Sequence, residues 1–165
     1  MDEQLAKVAP QALEQVSSAY KRAEEGGAEE RSQSLLSCRR TLKSVADVLC
    51  PASDLPAQDV TGREHSLTDD KWRNRLVEFV KQEIESAVSG EVLTTQLDDL
   101  ARRFKGLGEA SSRGVHADVS EFELNQAVIQ TYLTVGDLLR IHADDSGFSV
   151  VAQGLGHSST GTPMV

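Results

Sequence analysis

Apolar residues recur at steps of three and four along most of this chain, the period of an amphipathic helix, and polar breaks divide the pattern into five long segments. In residues 1–25 the stripe is Leu5, Val8, Ala12, Val16, Ala19 and Ala23, and the firm helix is expected to begin near Ala9 or Pro10, because a first turn tolerates proline. Gly26-Gly27 ends it. In residues 28–50 the stripe is Leu35, Cys38, Leu42, Val45 and Leu49, closed at Cys50-Pro51, since the residue before a proline is pushed out of the α region. Residues 51–67 hold Pro51, Pro56 and Gly62 without a sustained period and read as a long loop, with His65 a solvated residue in it.

Thr68 is placed to cap the next helix, with Asp69 and Asp70 in its first turn, where the helix dipole favours negative charge. Its apolar face, Trp72, Leu76, Phe79, Val80, Ile84, Ala87 and Val88, makes Trp72 a core anchor and stops at Ser89-Gly90. Leu93, Leu97, Leu100, Phe104 and Leu107 then follow a coiled-coil-like seam, with Asp98–Arg102 and Asp99–Arg103 as pairs four residues apart. Gly106 and Gly108 weaken the last turns, so that end is either loose or packed closely against something.

A polar hinge, RGVHADVS from Arg113 to Ser120, leads into a capping box formed by Ser120 and Glu123, with Val119 placed to staple onto Leu124. Phe122, Leu124, Val128, Ile129, Tyr132, Leu133, Val135, Leu138, Leu139 and Ile141 give the last helix a wide apolar face, expected at the centre of the fold. Beyond Asp145 the chain turns to Gly, Ser and Thr, which predicts a flexible tail over 145–165. The pattern therefore predicts an all-α domain over residues 1–144, an antiparallel bundle of about five helices.

Composition narrows the picture. The 165 residues suffice for one domain with a hydrophobic core, and aromatics at 4% favour Leu/Val/Ala helix packing over a β-sandwich. Against 17 Lys+Arg stand 26 Asp+Glu, a net charge of -9 that repels phosphate backbones and anionic membrane at long range. Cys38 and Cys50 lie on one predicted helix, about 18 Å apart by helical rise, too far for a disulfide, and read as reduced core residues. Met1-Asp2-Glu3-Gln4 lacks the basic and apolar regions of a secretory signal, and no apolar run approaches the roughly 20 residues of a membrane span. A cytoplasmic protein without membrane association is expected.

The residues that carry chemistry are few. The cysteines lack C-x-x-C spacing, no H-x-x-x-H occurs and the four histidines fall on different segments, so no metal site and no cofactor are expected. Gly106-Leu107-Gly108 follows no strand and is no phosphate loop. In the hinge, His116 lies among Arg113, Asp118 and the start of the last helix, where an imidazole could act as a base and an arginine could neutralise a phosphate. The competing reading is structural: His116 bonds backbone in a tight turn and fixes how the last helix begins.

The run RSQSLLSCRRTLKSVA from Arg31 to Ala46, a leucine-rich helix ending near Leu107-Gly108, the sequence RGVH from Arg113 to His116 and a long apolar helix together resemble the HEPN superfamily, the higher eukaryotes and prokaryotes nucleotide-binding domain. The resemblance covers roughly residues 10 to 143 and is greatest to prokaryotic HEPN-like domains found beside abortive-infection and anti-phage modules. Active HEPN ribonucleases are dimers that cleave RNA without metal, using an arginine four to six residues before a histidine. Here His116 matches the histidine, but Arg113 is only three residues upstream, and positions 109–111 are Glu109, Ala110 and Ser111. What the resemblance implies first is therefore a non-catalytic HEPN-like interaction domain, a homodimer or the partner of another protein in a prokaryotic defence or toxin-antitoxin type system. One alternative is a metal-independent endoribonuclease with His116 and Arg113 as catalytic residues, Arg39 and Arg103 as phosphate ligands and RNA as substrate. A second alternative is a nucleotide-sensing bundle.

Overall fold

The computed structural model describes residues 2–58, 63–83, 87–112 and 120–154. Among them are six helices and two strands: α1 (Asp2–Val8), α2 (Pro10–Glu25), α3 (Ala28–Leu49), β1 (Ser53–Gln58), β2 (Glu64–Leu67), α4 (Trp72–Glu83), α5 (Ala87–Ser112) and α6 (Glu121–Gly154). The fold is mostly helical, as the period predicts, with a small antiparallel sheet that the period does not predict.

α2 starts at Pro10, as expected, and the chain before it forms the short α1. Gly26 ends α2 at φ 77°, the left-handed conformation that glycine adopts without steric cost, and Arg31 donates to its carbonyl from Nε (3.0 Å) and Nη2 (2.8 Å). α3 returns antiparallel to α2. Small polar side chains let the two backbones approach: Ser34 donates to the Ala19 carbonyl at 2.7 Å, Arg22 to Ser37 at 2.9 Å and Ser44 to Gln15 at 3.0 Å.

The main core gathers Leu5, Val16, Leu42, Val45, Trp72, Leu76, Phe79, Leu97, Leu100, Val135, Leu138 and Leu139. Trp72 is a core anchor, as predicted. A second cluster joins Ala19, Leu35 and Cys38 to Leu124, Ala127 and Val128. α6 packs against every other helix and so occupies the central place expected of it. It does so with one face only: Phe122 (72% exposed), Ile129 (46%) and Leu133 (60%), all counted with its buried face from the sequence, point outward. Its backbone continues as helix to Gly154, nine residues past the expected start of the tail at residue 145.

Three expectations are corrected. Within the expected loop of residues 51–67, Ser53–Gln58 and Glu64–Leu67 are strands: β1 and β2 pair antiparallel, Ser53 opposite Leu67 and Gln58 opposite Glu64, with an irregular stretch around Pro56. β1 is mostly exposed, so it carries no burial alternation for a sequence reading to detect. α4 holds the hairpin, through Asn74 Nδ2 donating to the Ser66 carbonyl (3.0 Å), Lys81 Nζ donating to the Gln58 carbonyl (3.0 Å) and the buried Leu67. Nor does Thr68 cap α4. Its hydroxyl donates to Asp70, its carbonyl accepts from the Lys71 N–H in a turn, and the helix begins at Trp72. Finally, Ser89-Gly90 stops nothing. α5 runs through it, because one glycine costs a helix about 1 kcal/mol, less than burying Leu93, Leu97 and Leu100 contributes.

The α3–α4 junction closes on a buried ion. Arg75 is fully buried, and its Nη2 donates to Asp47 (2.8 Å) and to the Asp69 carbonyl (3.2 Å), while Nη1 donates to the Cys50 carbonyl (3.3 Å). Lys43 joins the network, 3.1 Å from Asp47 and 2.7 Å from Asp69. Partial burial pushes the Asp47 carboxyl up, but hydrogen bonds from Arg75 and Lys43, with their charges, outweigh it and hold that carboxyl below its ordinary value. Asp98, expected to pair with Arg102, instead reaches across to Arg73 on α4, and Arg102 pairs with Asp99.

Two stability changes follow. Replacing Arg75 by alanine strips the Cys50 and Asp69 carbonyls of their donor and leaves a cavity, and should cost about 2–4 kcal/mol in denaturant unfolding; a loss under about 1 kcal/mol would mean that the network is ornamental. Gly106 lies within α5 with open space where a Cβ would stand, so Gly106→Ala should stabilise by about 0.5–1 kcal/mol and raise Tm. A fall in Tm would show that this face is covered.

Candidate functional site

The two residues singled out for catalysis, Arg113 and His116, lie in 113–119, outside the described residues, as does Val119. The Glu123 N–H donates to Ser120 Oγ (3.2 Å), while Glu123 Oε2 accepts from the Ser120 N–H (3.2 Å) and hydroxyl (2.8 Å), the reciprocal capping box that the sequence predicts. Those hydrogen bonds, first from the hydroxyl and then from the backbone, hold the Glu123 carboxyl below its ordinary value, and the charge of Arg103 adds to the effect.

Arg103 thus stands toward the start of α6, half-buried, with a buried Nε that has no hydrogen-bond partner. Arg39, its companion as a candidate phosphate ligand, is elsewhere. It lines a cleft of about 340 Å³ between α3, the start of α4 and α5, which Arg103 does not line. The structure does not bring these two arginines to one site.

The cleft that holds Arg39 is built from three elements. Arg39 comes from α3, Asp70 to Asn74 from the turn and first residues of α4, and Ala101 and Lys105 from α5. A second cleft, of about 430 Å³, lies between the hairpin and α4, lined by Arg63, Glu64 and His65 on one side and by Arg73, Asn74, Val77 and Lys81 on the other. Arg73 and Asn74 line both. Arg73 is braced there: it pairs with Asp98 and donates through Nη1 to Asn74 Oδ1 (3.0 Å), while Asn74 in turn holds β2. His65, expected to be solvated, is half-buried on β2 with Nε2 3.4 Å from a Glu78 carboxylate oxygen.

Lys71 and Arg73 escaped the sequence reading, although a signal existed. Cations at the start of a helix oppose its dipole, so their presence there points to a partner other than the helix itself. Arg73 and Arg75, two residues apart on a helix, necessarily point to different faces, one to the clefts and the other to the core.

Other chemistry finds little footing. Among the described residues no three His, Cys, Asp or Glu side chains gather within metal-ligating reach. No described helix is long and apolar enough to cross a membrane. Cys38 is buried, and burial pushes its thiol up to about 12 against the opposing hydrogen bonds with Thr131 and its own backbone, so the reactive thiolate is scarce near neutral pH. Burial also raises the half-buried Cys50 thiol, with the Arg75 charge opposing.

In comparisons with known proteins, no family model, no curated protein and no solved structure matches the chain.

With a disulfide-exchange reagent on the native protein at pH 8, Cys50 should react first and Cys38 only on the timescale of unfolding. Fast labelling of Cys38, shown by loss of the fast phase in Cys38→Ala, would make it a candidate nucleophile despite its burial.

Proposed function

We propose that this chain is a non-catalytic, HEPN-like helical interaction domain that pairs with a second copy of itself through α6. The observation that carries this reading is the outward stripe of Phe122, Ile129 and Leu133 on the helix that also organises the core. At 100° per residue these three positions and Arg140 fall within about 40° of one line along α6. Tyr20 flanks the stripe through its edge-on contact with Tyr132, ring centroids 6.0 Å apart.

The charges favour a second copy lying antiparallel. Glu121 and Glu123 stand at one end of the stripe and Arg140 near the other. A two-fold axis beside position 131 sets Ile129 against the partner copy's equivalent of Leu133 and brings each Phe122 and its neighbouring glutamates to the opposite Arg140, an arrangement a parallel pairing lacks. The resemblance to HEPN domains supplies the biological setting of this reading, a prokaryotic defence or toxin-antitoxin type system.

Sedimentation equilibrium should reveal a concentration-dependent dimer that Leu133→Asp converts to monomer with unchanged helical circular dichroism. A wild-type monomer at every accessible concentration, or a dimer indifferent to Leu133→Asp, defeats the reading. The ribonuclease alternative rests on His116 and Arg113; RNA cleavage in EDTA that disappears in His116→Ala would replace the non-catalytic reading.

A further inference from the structure

We propose that the cleft between α3, the start of α4 and α5 binds the phosphate group of a small phosphorylated molecule. The inference is independent of pairing through α6. The chain as a whole carries net charge -9, yet this cleft is lined by four cations, Arg39, Lys71, Arg73 and Lys105, against one carboxylate, Asp70. The local field therefore has the sign opposite to that of the protein around it.

The four cations are not equally engaged. Lys71 pairs with Asp70, and Arg73 pairs with Asp98. Arg39 and Lys105, which come from separate walls on α3 and α5, have no ion-pair partner among the described residues. Like charges brought to a common cleft repel, and an anion seated between them converts that repulsion into two charge-assisted contacts. Side chains placed by three different elements also fix where the anion sits, which scattered surface lysines do not.

The chemistry of the walls selects the ligand class. Two uncommitted cations, with two more that can share their charge, match a group carrying two or more negative charges with oxygens directed to both walls, as a phosphate monoester or diphosphate has. A volume of about 340 Å³ lies at the lower end of the range of small-molecule pockets and leaves room for a compact organic moiety beside the phosphate. Trp72 and Ala101 give that moiety an apolar contact. A long polyanion is disfavoured, because beyond the cleft it meets an acidic protein.

The chain's single tryptophan lines the cleft and reports on it directly. Titrating the full chain with pyrophosphate should change Trp72 fluorescence saturably, with affinity falling as salt is raised. Arg39→Gln and Lys105→Gln should each weaken binding about tenfold, whereas Lys81→Gln, in the neighbouring cleft, should leave it unchanged. Circular dichroism melts of each variant separate lost binding from lost fold. Absence of saturation, or equal affinity in Arg39→Gln, Lys105→Gln and wild type, overturns the site. Citrate binding as tightly as pyrophosphate overturns the assignment to phosphate, and tighter binding of single-stranded RNA overturns the assignment to a small ligand.

Discussion

The buried guanidinium of Arg75 is the constraint from which much of this molecule follows. A fully buried cation is costly unless its charge is met and its donors are used. Here Asp47 supplies the charge, and the carbonyls of Cys50 and Asp69 take further donors. The partners come from the last turn of α3, the residue that caps it and the turn before α4, so engaging the two terminal nitrogens of one side chain, whose buried Nε has no hydrogen-bond partner, fixes how two helices meet. It also fixes the rotation of α4. With Arg75 turned inward beside Leu76, Arg73 turns outward, and Trp72 settles at the edge of the core.

That rotation makes α4 the shared wall of both clefts. Arg73 and Asn74 stand between them, and the hydrogen bond from Asn74 to Ser66 ties the hairpin to the same helix. In a protein with an excess of carboxylates, Asp98 and Asp70 neutralise some of the cations gathered here, while Arg39 and Lys105 keep theirs unmatched among the described residues. Two positions in one helix thus take opposite roles: the inward arginine serves the fold and the outward one lines the clefts.

α6 shows the same division along a longer element. Leu124, Ala127, Val128, Thr131, Val135, Leu138 and Leu139 bury one face against the remaining helices, with the Thr131 hydroxyl satisfied by the Ala127 carbonyl at 2.7 Å. Tyr132 ties the helix to the start of the chain by donating to Asp2 at 2.8 Å. Phe122, Ile129 and Leu133 extend the apolar surface beyond what one chain covers.

The sequence by itself determined most of the helical segments and, α6 apart, the faces they bury, because the period of three and four is a local consequence of helical geometry. Pro10 at the start of α2, Gly26 at its end, Pro51 after α3 and the Ser120–Glu123 box each act within a few residues, and each was legible. It did not reveal the hairpin, whose exposed β1 carries no alternation and whose β2 is held by α4. Nor did it show that α5 passes through Ser89-Gly90, since that depends on the burial of Leu93 and Leu97 against other elements. The candidate site was legible only in Arg39. Its grouping with Lys71, Arg73 and Lys105, the separation of Arg103 from it and the division of α6 into inward and outward apolar faces arise from packing among segments far apart in the chain, and periodicity along one segment carries no information about which neighbour will cover it.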